Sequence, residues 1–136
     1  MNTMLQAVGV SRICLALGLS FFASNGLAQT ISFKTNVLPL LQRHCVACHL
    51  TGEEQGGLGL TPKLAYNSLV GKASGQSGLL RVAPGEPERS YILHKLRGSH
   101  LDQGGSGARM PQGLEPLGPE DMGQLLAWIQ AGAPNN

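Results

Sequence analysis

The chain has 136 residues, with 10 Lys and Arg against 8 Asp and Glu and a formal charge of +2. That length makes one domain once any leader is removed, and an even charge balance with no basic block and few aromatics gives nucleic-acid binding no support. Cysteine is scarce, at 3, and one of the three lies in the expected leader.

Residues 1–28 read as a secretory signal peptide. Arg12 supplies positive charge, Ile13 to Ala23 is an apolar run, and Gly26-Leu27-Ala28 offers small residues for cleavage before Gln29. The run is shorter than the roughly 20 residues a bilayer requires, and no stop-transfer charges follow, which argues against the alternative of a retained anchor. Cys14 lies inside this run and receives no ligand or lipid role. No later segment is suited to span a membrane, and export places the mature chain, residues 29–136, in the periplasm.

Val37, Leu38, Leu41, Cys45 and Cys48 recur at helical spacing. A helix from Val37 to Cys45 is expected, with Asn36 as N-cap and Pro39 in the first turn, where its missing N–H costs little. Phe33 and Ile31 precede it, free to pack back. His44 reads as a surface histidine.

This helix enters Cys45-Val46-Ala47-Cys48-His49, and C-x-x-C-H is the spacing that attaches a c-type haem. Two thiols suit the vinyl groups, and the adjacent histidine supplies the proximal nitrogen. Two other readings compete. A redox dithiol leaves His49 idle. A structural zinc site wants four ligands, for which His94 and His100 would have to complete Cys2His2 at a spacing that matches no common zinc motif.

Gly52 to Thr61 is a glycine-rich loop, read as wrapping the proximal side, with a carbonyl near Leu60 or Pro62 as the expected anchor for the second ring nitrogen of His49. Pro62 to Val70 reads as a short helix. Leu79 to Val82 reads as a loop rather than a strand. Pro84-Gly85-Glu86-Pro87 turns into a helix through Tyr91, Ile92, Leu93 and Leu96 that Gly98 stops; His94 on it reads as structural or exposed. Leu117 to Gly132 is the clearest helix, with Pro119 at its start, Glu120 and Asp121 in the first turn, and Met122, Leu125, Leu126 and Ile129 at i, i+3, i+4, i+7. It is expected to pack on the first helix, with Phe33 and Val37 against Leu125, Trp128 and Ile129.

Residues 98–116 show no periodicity and carry many glycines, and a loop that long in so small a domain is often functional. Met110 lies in it, followed by Pro111, which stiffens the approach. A thioether in the sixth position of a haem iron raises the potential and suits electron transfer. His100 is the rival distal ligand, and an open distal position is a third arrangement. Met122 reads as core. Arg81, Arg109 and Tyr66 are candidates to meet a propionate. Among the histidines, His44, His94 and His100 have no carboxylate partner by spacing, so no acid–base pair points to an enzyme.

The helix into Cys45-Val46-Ala47-Cys48-His49, then Gly56 to Leu60, Val82-Ala83-Pro84-Gly85-Glu86-Pro87, Met110-Pro111 and Leu126-Ala127-Trp128-Ile129-Gln130-Ala131-Gly132-Ala133 follow in order. As a set they resemble the bacterial class I-like monohaem cytochromes c, across essentially the whole mature chain. The resemblance implies an all-α, small class I cytochrome c-like fold over 29–136, with N- and C-terminal helices packed across each other around a covalent haem. It implies one haem c, thioether-linked to Cys45 and Cys48, with iron held by His49 and Met110. It implies a periplasmic electron carrier rather than an enzyme. Its partners would be redox proteins that dock weakly, including a periplasmic or membrane-bound dehydrogenase or oxidase. The alternative function is a haem-based peroxidase or gas sensor with an open or displaceable distal site. The glycine-dense run Gly104 to Gly107 departs from the pattern and leaves the distal strap short of obvious support.

Overall fold

The computed structural model describes residues 30–136. The expected leader and the cleavage before Gln29 lie outside the described residues. The chain is all-α: helices α1 (Leu38–His44), α2 (Ala65–Leu69), α3 (Tyr91–Arg97) and α4 (Pro119–Gln130) are joined by loops and short 3-10 turns. No sheet forms among the described residues; Val70 pairs with Val82, Ala73 with Leu80, and Leu80 with Ser90 as isolated bridges. No helix among them is long and apolar enough to cross a membrane.

The first helical stretch begins earlier than its spacing predicts. Phe33–Val37 is a π turn that runs directly into α1. Its cap is Ser32, whose hydroxyl accepts from the Thr35 amide, and Asn36 reciprocates by accepting from the Ser32 amide through Oδ1 at 3.0 Å. Asn36 is therefore inside the helix, not its cap. Pro39 accounts for the wide turn. In an α-helix its ring would press on the Thr35 carbonyl four residues back. Here the Val37 amide bonds the Ser32 carbonyl at 3.2 Å and the Leu38 amide bonds that of Phe33, both five residues back, which opens the turn ahead of the proline.

Phe33, Val37, Leu40 and Leu41 form the buried stripe of this stretch, and Leu125, Trp128 and Ile129 form that of α4. They meet as expected. Phe33 and Trp128 lie 5.3 Å apart between centroids, and Tyr66 stands edge-on to Phe33 at 5.2 Å. Trp128 Nε1 donates to the Pro134 carbonyl at 2.9 Å, and the Tyr66 hydroxyl donates to that of Ala133 at 2.9 Å, so both polar edges are satisfied where the helix ends. Met122 packs against this core.

α2 starts at Ala65, three residues later than Pro62, after a turn through Thr61 and Leu64. α3 ends at the glycine expected to stop it: Gly98 takes a left-handed conformation at φ +87°. His94 on α3 is buried and structural, its nitrogens bonded to Ser99 Oγ at 3.0 Å and the Glu88 carbonyl at 2.9 Å. The long loop is not structureless throughout, because Ser99–Gln103 forms a 3-10 turn. The Met110–Pro111 peptide is cis.

Candidate functional site

α1 ends at Cys45, and the chain turns sharply there. The Cys45 carbonyl accepts from the amides of both Cys48, at 3.2 Å, and His49, at 3.1 Å. The loop beyond His49 is closed at its neck. The Leu60 amide bonds the His49 carbonyl at 3.0 Å, and the Thr61 amide bonds that of Leu50 at 3.2 Å. The neck is tight enough to require glycine at 59, since a Cβ there would sit 2.8 Å from the Thr51 carbonyl oxygen. At the tip, the Glu54 carboxylate accepts from the amides of Thr51 and Gly52 at 3.0 and 2.9 Å. Its own amide, then those of Gly52 and Thr51 with the Thr51 hydroxyl, hold its carboxyl down to about 2.

A cavity of about 380 Å³ opens between this motif, α3 and the long loop. Cys45, His49 and Met110 all line it, so the structure brings three of the four expected site residues to one space. Cys48, one turn on from Cys45, is exposed and outside the lining. The walls are chiefly apolar, with Leu41, Leu58, Leu60, Leu69, Ile92 and Leu96. Two cations, Arg81 and Lys95, also line it, and among the described residues no aspartate or glutamate does.

The titrations of the motif follow from burial. Burial, and then the neighbouring Cys48, push the Cys45 thiol up to about 11. Burial lowers the His49 imidazole below its ordinary value; the Gln55 backbone and the Glu54 charge oppose this, and Arg81 adds to it. A neutral imidazole is the form that binds metals. Its Nδ1 is buried without a hydrogen-bond partner. The expected anchor, a carbonyl near Leu60 or Pro62, is therefore not formed; the Leu60 carbonyl accepts from Gln42 Nε2 at 2.7 Å.

Of the three candidates for an anionic substituent, only Arg81 reaches the cavity. Its guanidinium donates to the carbonyls of Gly56, Gly57 and Ser68 at 2.9, 3.0 and 2.8 Å, tying the glycine loop to α2. Arg109 instead bonds the carbonyls of Met110 and Leu114 at 3.1 and 2.8 Å. Tyr66 belongs to the aromatic cluster on the far helices. Lys95 is the residue that sequence reasoning missed. Its side chain lines the cavity and donates to the Ser106 carbonyl, burial lowers its ammonium below its ordinary value, and its carbonyl accepts the Met110 amide at 3.0 Å. Its place on α3, opposite a loop with no periodicity, leaves no sequence signal.

The other histidines are engaged elsewhere. His44 is no free surface residue. Its Nε2 lies 2.8 Å from Asp121 Oδ2, and Asp121 Oδ1 also accepts from Arg43 at 2.9 Å. This carboxylate partner is 77 residues away, beyond any spacing argument, and the cluster does not line the cavity. His100 is buried, with Nε2 2.9 Å from the Gly107 carbonyl. Among the described residues no three His, Cys, Asp or Glu side chains come together as a metal site, so the Cys2His2 arrangement is not formed.

The cavity is thus chiefly apolar, with an imidazole, a thiol, a thioether and two cations on its walls. Comparison with protein-family models, curated proteins and solved structures finds no match to this chain.

Proposed function

We propose that the chain is a periplasmic one-electron carrier holding one haem c, and that it belongs with the small class I-like cytochromes c it resembles. The observation that carries the reading is the meeting of Cys45, His49 and Met110 on one apolar cavity, from positions as far apart in sequence as 45 and 110. In this reading Cys45 and Cys48 tether the haem by thioethers, His49 is the proximal ligand and Met110 the distal one.

A haem held by Cys45, Cys48, His49 and Met110 would supply a one-electron couple, whose potential the Met110 thioether would raise. The chain's own residues set the surroundings. Leu41, Leu60, Leu69 and Leu96 exclude water. Arg81 and Lys95 bring positive charge to a cavity lined by no acid, which suits anionic propionates. His49 and Met110, both held on the cavity wall, would have little to rearrange on electron transfer. Redox partners would meet the protein through the small, weak interfaces of transient encounters.

Optical spectra of the periplasmically produced protein test this. Covalent low-spin haem is expected, with a far-red thioether–iron absorption that Met110→Ala abolishes and with carbon monoxide bound only by the reduced variant. High-spin iron or ready carbon monoxide binding by the parent would overturn the His49–Met110 pairing and favour peroxidase or gas-sensing chemistry. Failure to incorporate haem would overturn the reading entirely.

A further inference from the structure

The glycine-dense run ahead of Met110 has an internal support. Gly98 and Gly104 both take left-handed conformations, at φ +87° and +76°, on either side of the Ser99–Gln103 turn. The chain doubles back between them. The Gly105 amide bonds the His100 carbonyl at 2.9 Å, and His100 Nε2 reaches the Gly107 carbonyl at 2.9 Å. His100 is 2% exposed and is the one buried residue from 99 to 107. The segment therefore closes around a single imidazole.

The protonation pattern of that ring is set by its partner. A carbonyl only accepts, so Nε2 carries the proton. Nδ1 is buried with no hydrogen-bond partner. An imidazole whose Nε2 is committed as a donor is not offering that nitrogen to a metal, and His100 is not among the residues lining the cavity. Gly107 and Ala108 are, three and two residues before Met110.

We propose that His100 is the positioning residue for Met110: by donating to Gly107 it fixes the segment that delivers the thioether to the cavity. The inference rests on the haem reading and gives His100 no contact with the cofactor. Met110 is then held from two sides. Its own amide bonds the Lys95 carbonyl at 3.0 Å, a backbone link that no side-chain change removes. Upstream, two side chains grip the segment: Lys95 on the Ser106 carbonyl and His100 on that of Gly107; His100 is the one nearer Met110, and substitution removes it.

The test compares haem-loaded parent, His100→Gln and His100→Leu. It reads the far-red thioether–iron absorption, carbon monoxide binding after reduction, the thermal midpoint, and amide exchange over residues 104–110. Loss of one hydrogen bond of ordinary strength is expected to raise the fraction with Met110 detached about fivefold in His100→Leu. His100→Gln, which retains a donor, is expected to stay within about twofold of the parent. A His100→Leu protein that keeps the parent's far-red absorption and carbon monoxide resistance while only its thermal midpoint falls would show a merely structural histidine and overturn the proposal. That result leaves the haem reading intact, whereas a parent lacking the far-red absorption overturns that reading and this one with it. If His100→Leu does not accumulate, nitrogen NMR of the parent decides: a proton on Nε2, bonded to Gly107, supports the assignment, and a proton on Nδ1 overturns it.

Discussion

Phe33 and Trp128 pack with ring centroids 5.3 Å apart and planes inclined at 35°, joining the first helical turn to the last helix. Tyr66 completes the cluster, 6.5 Å from Trp128. None of the three lines the cavity. Trp128→Ala is expected to cost about 3–5 kcal/mol, the range for deleting a large buried aromatic, measured by urea unfolding. The folded fraction should keep the parent's spectrum, and a changed spectrum in folded protein would refute the separation of cluster from site.

Among the described residues, Arg81 is the only side chain bonding the carbonyls of Gly56, Gly57 and Ser68. Arg81→Met retains the apolar stem and removes those donors. A loss of roughly 2–3 kcal/mol is expected from several hydrogen bonds near 1 kcal/mol each. Amide exchange should quicken in residues 55–58 and stay unchanged in α4. Uniform quickening throughout would place the effect on global stability alone.

Glu54 gives the loop beyond His49 a pH dependence. Its carboxyl stands at about 2 in the folded chain against an ordinary 4.5. A depressed carboxyl contributes stability that is present above the ordinary value and is lost as pH falls through the folded one. The contribution should therefore fade between about pH 4.5 and 2. Stability curves of the parent and Glu54→Gln should converge across that window on acidification. Curves that run parallel there would show that the carboxylate's hydrogen bonds stabilise nothing.

Two glycines predict opposite outcomes for one substitution. A Cβ at Gly105 would fall on the Tyr91 hydroxyl and 2.7 Å from the His100 carbonyl oxygen, so Gly105→Ala should destabilise by about 1–3 kcal/mol. Gly123, inside α4, has nothing within 4 Å of that position, and Gly123→Ala should stabilise by up to about 1 kcal/mol through helix propensity. Thermal unfolding distinguishes them, and the same sign for both would contradict the packing described.

The Asp121 carboxylate bridges two side chains at the end of α1, Arg43 and His44. Arg43 is 55% exposed, so the bridge is a surface one and Asp121→Asn should cost no more than about 1 kcal/mol. The cost should shrink further in high salt, and a loss that salt does not change would point to helix capping instead.

The features legible in the sequence are local. The last helix, with Pro119 at its start and its apolar recurrence, and the stop at Gly98 are written in neighbouring residues. The meeting of Phe33 with Trp128 is implied by two apolar stripes that each need a partner. The misses are long-range or depend on a local exception. Asn36 reads as a cap because an α-helix cannot carry Pro39 deeper, and a π turn is not visible as a period. The bonds from Gln42 to Leu60, from His44 to Asp121 and from Arg81 to Gly56 join residues that no spacing relates. His100 reads as a rival ligand because a histidine near a methionine in a loop carries no mark of which way its ring is committed.

The wide turn at Phe33–Val37 acts as a phase setting for the helix beyond it. An α-helix advances about 100° per residue, so the one-residue change in bonding there rotates the rest of the short helix by a comparable arc. With the turn wide, Phe33 meets Trp128 while Leu41 and Cys45, eight and twelve residues on, line the cavity. Deleting one residue from 33–37 would preserve every side chain of the motif and still turn it away from the cavity.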